Sequence, residues 1–338
     1  MIAPGDIPEF DSLPKVGQMP QGCAWGLFDS NCQKDRLGCL NFLTPEVVQR
    51  ASKEVRDGVS ISLNWPMGAI RTPPFGRKGL GHKIHTFKDS PYNVWSLEDE
   101  VEFNTQSSSQ WDSLVHFYHQ PTGLAYNGIR PVKSKLAEKF ENEVQLPTLD
   151  LWHARGGMAG RGVLLDYRAW AEAKGISYNC FDSHIITISD LESIAEYQGT
   201  KLLFGDILVI RSGYTEDLGA ADADEQQRFL NTGRAIGIEG NINSAKWIWN
   251  HHFSAVAGDM LAFEVTPPRI GNREGGIADL VLHQYLLGLF GVSIGELWDL
   301  KTLGEYCKKA GRYEFFLTSV PLNIPGLVAS PPNALAIL

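Results

Sequence analysis

Amide, carboxylate and imidazole side chains alternate with small or apolar residues in one short segment of the chain. All of these polar groups hold even positions, at Gln106, Gln110, Asp112 and His116. If the segment is extended, residues two apart share a face, so the four side chains converge. Trp111 would then anchor the opposite face in a core. The pattern predicts a group of ligands with a proton-transfer residue, although a solvated edge strand would show the same alternation.

A second group of residues suited to chemistry lies far down the chain, on either side of a Gly-Asp turn signal. His252 precedes this turn and Glu264 follows it, each joined to it by a short apolar run. A hairpin or a strand-loop-strand would bring the two side chains together. With the carboxylate of Asp112 they would form a ligand set for a divalent cation, which leaves His116 as a general acid or base. In the structural alternative, His252 caps a helix and Glu264 ends a strand in solvent.

The two segments together resemble the cyclase family that includes bacterial kynurenine formamidase and isatin hydrolase. That family carries the pattern His-x-Gly-Thr-His-x-Asp-x-x-x-His, followed much later by a His and a Glu or Gln about a dozen positions apart. Asp112 and His116 match the Asp and the last His of the pattern, and His252 and Glu264 match the distant pair. The resemblance runs from about residue 20 to the C-terminus. Further stretches that fit the family are 25–29, 37–41, 155–166, 205–213, 321–325 and 330–334.

Two glutamines distinguish this chain from the family pattern. Gln106 and Gln110 stand where the first two histidines of the pattern belong, and a carboxamide is a weak, uncharged ligand that favours harder cations over zinc. The resemblance implies one divalent cation on Asp112, His252 and Glu264, with the glutamines as weak ligands or as hydrogen-bond partners of the substrate. Manganese or zinc is expected first and magnesium or calcium next, and a metal-free site stays open.

The resemblance implies a metal-dependent hydrolase that acts on an amide or lactone bond of a small molecule, with His116 transferring the proton. Two alternatives stay open. One is a non-hydrolytic cyclase or dehydratase that tailors a natural-product intermediate, and the other is an inactive homologue that binds a small metabolite. Four residues are candidates for contacting the substrate, although each also has a structural interpretation as a core or hydrogen-bonding residue: Trp25, Tyr126, His119 and Arg211.

The composition agrees with a soluble enzyme. The chain has 338 residues, of which 43% are apolar, so it can bury a large core. A net charge of -9 without a basic block argues against a nucleic-acid partner. No apolar run approaches the roughly 18 to 20 residues needed to span a bilayer, and the N-terminus has no leader pattern. The five cysteines form no CxxC pattern, so we expect reduced thiols in a cytoplasmic protein.

Helices and strands alternate among the elements that must position these residues. Caps and apolar periodicity predict helices at 44–55, from 189 to about 197, and at 278–290. Short β-branched runs predict strands at 59–66, 162–166, 184–188 and 205–210, with a last strand at 313–318. Because no repeat or linker interrupts the pattern, we expect a single domain over 1–338, with an irregular extension over 1–20. This mixed α/β pattern is compatible with the swivelling β/β/α cyclase-like fold that the resemblance implies, usually as a homodimer or homotetramer.

Overall fold

The computed structural model describes residues 4–137 and 146–338. The strands in chain order are β1 Ser60–Ser62, β2 Gly81–Thr86, β3 Leu97–Glu102, β4 Gln110–Asp112, β5 Met158–Asp166, β6 Ile185–Ile186, β7 Ile207–Arg211, β8 Gly237–Ile238, β9 Ala255–Gly258, β10 Arg269–Ile270, β11 Arg273–Glu274, β12 Ser293–Glu296, β13 Glu314–Ser319, β14 Ala329–Ser330 and β15 Ala334–Ile337.

The α-helices in chain order are α1 Pro45–Ala51, α2 Lys133–Ala137, α3 Leu151–Ala154, α4 Tyr167–Lys174, α5 Ile188–Gln198, α6 Tyr214–Ala220, α7 Ala223–Asn231, α8 Ile242–Asn250, α9 Val281–His283 and α10 Lys301–Ala310. Helix α9 continues directly into a π-helix, Gln284–Phe290. Short 3₁₀ turns occur at Pro4–Asp6, Phe10–Ser12, Gly38–Phe42, Ser52–Glu54, Tyr126–Gly128 and Ile277–Asp279.

A mixed sheet of nine strands carries the site, in the order β1-β15-β13-β5-β7-β9-β12-β4-β14. Its centre is parallel, since β5, β7, β9 and β12 pair in the same direction. Antiparallel strands flank this centre on both sides. Helices connect the parallel strands and cover them, which explains why these strands read as near-continuous apolar runs. The predicted mixed α/β class is confirmed.

Each face of the parallel strands packs against a separate hydrophobic layer, because successive side chains of a strand point to opposite faces. Leu208 and Ile210 belong to one layer, with side chains of α5, α8 and the π-helix. Ile207 and Val209 belong to the other layer, with side chains of α10. Trp111 lies in this second layer, fully buried against two further tryptophans. The sequence had predicted that Trp111 anchors its segment in a core.

Two helix starts show how local hydrogen bonds set the boundaries. Thr44 caps α1 by accepting a hydrogen bond from the backbone N–H of Val47, as predicted. Helix α5 begins earlier than the capping box predicted at Ser189. Thr187 and Asp190 exchange the capping-box hydrogen bonds instead, because Thr187 is the last extended residue before the helix.

The sheet continues beyond the strand that the sequence predicted to be the last. That strand is β13, and β14 and β15 follow it. Strand β15 inserts between β1 and β13 and pairs with both in antiparallel fashion. Ala336 and Leu338 are fully buried as a result. The apolar C-terminal segment is therefore part of the core.

Strands β2 and β3 form a two-stranded ribbon, which we call the arm (residues 81–102). Within the described ranges, these two strands pair only with each other. Almost every residue of the two strands is exposed, and several large apolar side chains face solvent: Ile84, Tyr92, Trp95, Leu97 and Val101. A two-stranded ribbon is marginally stable alone in water. Among the described residues, no helix is both long enough and apolar enough to cross a lipid bilayer.

Candidate metal centre

Strands β4 and β12 place two carboxylates on one face of the sheet. Asp112 ends β4 and Glu296 ends β12. In their antiparallel register Ile294 lies opposite Asp112 and Glu296 lies opposite Gln110, so these side chains share a face. Both carboxylates are buried, with Asp112 at 0% and Glu296 at 4% exposure. Two buried acids this close require a cation, a proton or strong hydrogen bonds.

His283 completes a triad with these two acids. It ends α9, is buried, and holds its Nε2 atom 3.2 Å from Oε1 of Glu296. One ligand atom from each of Asp112, His283 and Glu296 lies within 4.8 Å of the other two. Two carboxylates and an imidazole form a ligand set that suits a divalent cation.

Glu264 supports this triad from behind His283. Its Oε1 atom lies 3.0 Å from Nδ1 of His283 and accepts the backbone N–H of the same residue at 2.7 Å. Its Oε2 atom accepts the backbone N–H of Val281 at 2.8 Å. Because both oxygens are engaged there, Glu264 orients the imidazole and leaves Nε2 directed at the two acids. The sequence predicted that Asp112 and Glu264 share a cation. The structure corrects this prediction, because both oxygens of Glu264 bond to Val281 and His283 and not to a site shared with Asp112.

The two glutamines hold the carboxylates of the triad. Gln106 donates its amide to Oδ1 of Asp112. Gln110 donates to Oε2 of Glu296 at 2.8 Å and to Oε1 of Gln106 at 3.1 Å. The structure thus brings Gln106 to Asp112 and Gln110 to Glu296, although residues 105–109 form turns and bends where the sequence predicted an extended strand.

Two buried oxygens of the site have no hydrogen-bond partner in the described part of the chain: Oδ2 of Asp112 and Oε1 of Gln110. Leaving a buried acceptor unpaired costs about 1–3 kcal/mol, and more for a charged group. A cation held by Asp112, His283 and Glu296 would engage the carboxylate oxygen. The residues present therefore fit a divalent metal ion.

The titration of the triad follows from its burial and its hydrogen bonds. Burial raises the pKa of Asp112, and the nearby His116 opposes this only in part. Burial alone would also raise the pKa of Glu296, but the hydrogen bond and the charge of His283 bring it below its ordinary value. Burial disfavours a charged His283, yet its hydrogen bonds to Glu264 and Glu296 raise its pKa to about 10. Without a metal, these hydrogen bonds therefore favour the protonated form of His283 near neutral pH.

His116 lies beside the triad and remains accessible. It follows β4 in a turn, where its backbone N–H donates to the carbonyl of Ser113 at 3.0 Å. Its Nδ1 atom is 3.9 Å from Oδ1 of Asp112, and its side chain is 24% exposed. A substrate can therefore reach this imidazole, and its role in proton transfer stays a prediction.

A cavity of about 350 Å³ adjoins the triad. Its polar side chains are Arg77, Gln106, His116, Thr266, His283 and Glu296. Its walls are mostly apolar, from Phe75, Phe117, Leu230, Leu261, Pro267, Pro268, Ile277 and Leu280. A cavity of this size, with apolar walls and a few converging polar groups, is typical of small-molecule sites.

His252 does not belong to this site. It follows α8 with a left-handed φ of 52°, and its ring packs among Phe42, Phe204 and Trp249. It precedes β9, whose first residue lies beside the first residue of the parallel strand β12. Glu296 lies at the opposite end of β12. The predicted ligand His252 is therefore corrected to His283.

The two aromatic residues predicted to contact the substrate are parts of the core or its edge. Tyr126 is fully buried, and its hydroxyl donates to Asp35 at 3.1 Å. Trp25 donates its indole N–H to the backbone carbonyl of Gly288 at 2.8 Å. Neither is among the described residues that line the cavity. Phe75 and Phe117 supply the aromatic wall instead.

The predicted contacts from His119 and Arg211 are corrected in the same way. Nδ1 of His119 lies 3.0 Å from the hydroxyl of Thr122, so this ring closes a local turn. Arg211 forms buried ion pairs with Asp166 at 2.8 Å and Glu216 at 2.7 Å. Its guanidinium is paired with these two acids, and Arg211 is not among the described residues that line the cavity.

The sequence contains two His and Glu pairs at nearly the same spacing. His252 and Glu264 are 12 positions apart, and His283 and Glu296 are 13 apart. His283 is a polar residue inside an apolar helical stretch, and Glu296 ends an apolar run, which is a sign of burial with partners. Glu264 also follows an apolar run, however, so this signal does not rank the two pairs.

Comparison with known proteins identifies relatives of this fold. The family model described as "Putative cyclase" matches residues 59–265. A crystal structure described as that of a novel cyclase is 30% identical, covers 94% of this chain and 100% of its own, and has a TM-score of 0.79. This match confirms the predicted cyclase-like fold.

Isatin hydrolases share the fold at lower identity. Isatin hydrolase A from Labrenzia aggregata is 13% identical, with 82% of this chain and 93% of its own covered and a TM-score of 0.55. Isatin hydrolase A from Ralstonia solanacearum is 12% identical, with 87% and 98% covered and a TM-score of 0.57. No curated protein matches the sequence.

Proposed function

Because this chain belongs to the cyclase family, we propose that it is a metal-dependent hydrolase of an amide or lactone bond in a small molecule. One observation carries the proposal. Asp112, His283 and Glu296 converge, buried, beside an apolar cavity of small-molecule size. The isatin hydrolases that share the fold support hydrolysis as the reaction class.

Asp112, His283 and Glu296 would hold one divalent cation, with manganese or zinc expected first. A cation bound there would polarise a carbonyl and lower the pKa of a water molecule. Gln106 and Gln110 use their amides to hold Asp112 and Glu296. Neither glutamine supplies an imidazole, so the described residues around the triad offer ligands for one cation and not for a second.

The protein's own residues prepare the site for this chemistry. Glu264 accepts from Nδ1 of His283 and so presents Nε2 as the ligand atom. His116 is placed to take a proton from water and to return it to the leaving nitrogen or oxygen. The apolar walls limit access of bulk water, which strengthens charge interactions within the cavity.

A non-hydrolytic tailoring reaction is the second candidate, and one specific observation favours it. Without a metal, His283 bonds to both Glu264 and Glu296, and the two amides cover the remaining acid oxygens in part. The hydrogen-bond network is therefore nearly complete without a cation. In such a reaction His116 would abstract a proton while the glutamines orient an oxygen of the substrate.

Metal analysis of the purified protein, with hydrolysis of isatin and of an aryl formamide as probe reactions, separates the two candidates. We expect about one manganese or zinc per chain and turnover of at least one probe. Asp112→Asn should lose both, whereas Asp99→Asn on the exposed arm should lose neither. A metal-free wild-type protein that turns over neither probe would reject the hydrolase proposal and favour the second candidate.

We also propose that the protein is a cytoplasmic homodimer or homotetramer. Four of the five cysteines are buried free thiols, which suits a reducing compartment. The arm exposes five large apolar side chains within one short ribbon, Ile84, Tyr92, Trp95, Leu97 and Val101, and grouped apolar exposure is typical of an interaction surface. The family resemblance implies a second copy of this chain as a partner, and we propose that the arm contacts it.

A further inference from the structure

Arg77 is the only arginine or lysine among the described residues that line the cavity. It lies on the loop between β1 and β2, and its guanidinium stands over the ring of Phe75 at 5.0 Å. Its Nη1 atom donates to the backbone carbonyl of Gln106 at 3.3 Å. Arg77 therefore brings a positive charge to the polar end of an otherwise apolar cavity.

The hydrogen bonding of this guanidinium is incomplete. An arginine has five N–H donors, and within the described ranges the Arg77 side chain makes a single hydrogen bond, to Gln106. Arg161 and Arg211, by contrast, are each paired with at least two carboxylates. The half-buried Arg77 thus keeps a donor fork available to a molecule in the cavity.

The charge of Arg77 persists in this environment. Burial lowers the pKa of its guanidinium, while the nearby charges of Glu296 and Asp112 act in the opposite direction. An arginine side chain does not lose its proton near neutral pH. A ligand without an acceptor at this point would leave the remaining N–H donors of Arg77 without a partner in the described part of the cavity wall.

We propose that Arg77 binds a carboxylate of the substrate. The substrate class is then an apolar, ring-bearing monocarboxylate, with the ring against the apolar walls and the bond to be cleaved toward the triad. This inference rests on the proposed function and names the substrate class of the same site. A guanidinium fork matches the two oxygens of a carboxylate. The neighbouring acids Asp112 and Glu296 disfavour a dianion such as a phosphate monoester.

Binding of two matched probes tests the inference without requiring turnover. Cinnamate and its neutral isostere cinnamamide are titrated into the purified protein by calorimetry. Wild type should bind cinnamate at least about 10-fold more tightly than cinnamamide, because a charge-assisted pair contributes roughly 10- to 100-fold. Arg77→Met should abolish this preference and leave cinnamamide binding within about threefold. Arg77→Lys, which keeps the charge without the fork, should retain part of it.

Arg71→Met is the control, since Arg71 lies on the same loop but is exposed and does not line the cavity. This variant should keep the wild-type preference. Equal affinities of wild type for the two probes, no binding of cinnamate, or an unchanged preference in Arg77→Met would each overturn the inference. Tighter binding of phenylphosphonate than of cinnamate would overturn the choice of a monocarboxylate. Because no step of this test needs hydrolysis, failure of the hydrolase proposal is seen separately in the isatin and formamide assays.

Discussion

Gln110 and Glu296 face each other across the paired strands β4 and β12, and Nε2 of Gln110 lies 2.8 Å from Oε2 of Glu296. By the family pattern, a histidine would stand at position 110. The carboxamide instead donates a hydrogen bond to an acid of the candidate metal triad. Position 110 therefore orients a carboxylate and offers no imidazole.

The two His and Glu pairs predict different results for two alanine variants. His283→Ala should remove the bound cation, because it deletes the imidazole that faces Asp112 and Glu296. His252→Ala should keep the cation and lower the free energy of unfolding by about 1 kcal/mol through lost aromatic packing. Elemental analysis after gel filtration and thermal unfolding measure the two effects. Retention of metal by His283→Ala would remove that residue from the ligand set.

Replacing Gln106 and Gln110 together by histidine should raise zinc affinity at least about 10-fold. Two neutral imidazoles would replace amides that bind metal weakly, and both positions already contact the triad. Competition with a chelating dye measures the affinity, and the stoichiometry should approach two zinc ions per chain. Gln120→His, an exposed glutamine in a neighbouring turn, is the control and should bind as wild type. Unchanged zinc affinity in the double variant would contradict this prediction.

His116→Ala should lower kcat by about 10²- to 10⁴-fold, the usual contribution of a placed acid or base. The metal content should stay unchanged, because Nδ1 of His116 is 3.9 Å from Asp112 and the triad does not include this residue. Single-turnover kinetics and elemental analysis test the two parts. Loss of metal would make His116 a ligand, and full activity would reject it as the proton-transfer group.

Cation binding should release close to one proton per ion near neutral pH. The pKa of His283 is raised to about 10 in the metal-free site, so the cation must displace the proton on Nε2. Affinity should therefore increase with pH between about 6 and 9, by up to about tenfold per unit. The stability of the metal-free fold should change with pH in the opposite direction. The stabilisation from the protonated His283 is fully present below pH about 6.5 and is lost as the pH rises through about 10.

Calorimetry in buffers of different ionisation enthalpy counts the protons released. The variant Glu264→Gln should release fewer protons, because it weakens the hydrogen bond that holds the imidazolium, and should bind the cation about 10- to 100-fold more weakly. Proton release that is zero in wild type would contradict the charged state of His283.

The arm should mediate self-association. Replacing Tyr92 and Trp95, both largely exposed, by serine should shift a dimer or tetramer toward monomer in light scattering, since it removes apolar contact area. Replacing the exposed Tyr197 on α5 by serine is the control and should change nothing. A wild-type protein that is monomeric at all concentrations tested would refute this role of the arm.

Local sequence determined the half of the site that lies within one segment. Gln106, Gln110, Asp112 and His116 are within eleven positions of one another, so a turn, a three-residue strand and a second turn suffice to bring them together. The predicted continuous strand was wrong. The side chains of Gln106, Asp112 and His116 still lie close together, because residues so near in sequence cannot be far apart in space. Trp111 faces the core for the same local reason, the alternation of side chains along β4.

Only the tertiary structure decided which distant pair joins that segment. His252 with Glu264 and His283 with Glu296 have nearly equal spacing, so local pattern could not rank them. The choice follows from the antiparallel register of β4 with β12, which sets Glu296 opposite Gln110, and from the direction of β9, which leaves His252 at the far end of the sheet. Strand pairing between residues more than 180 positions apart depends on the packing of the whole core, and no spacing within one segment encodes it.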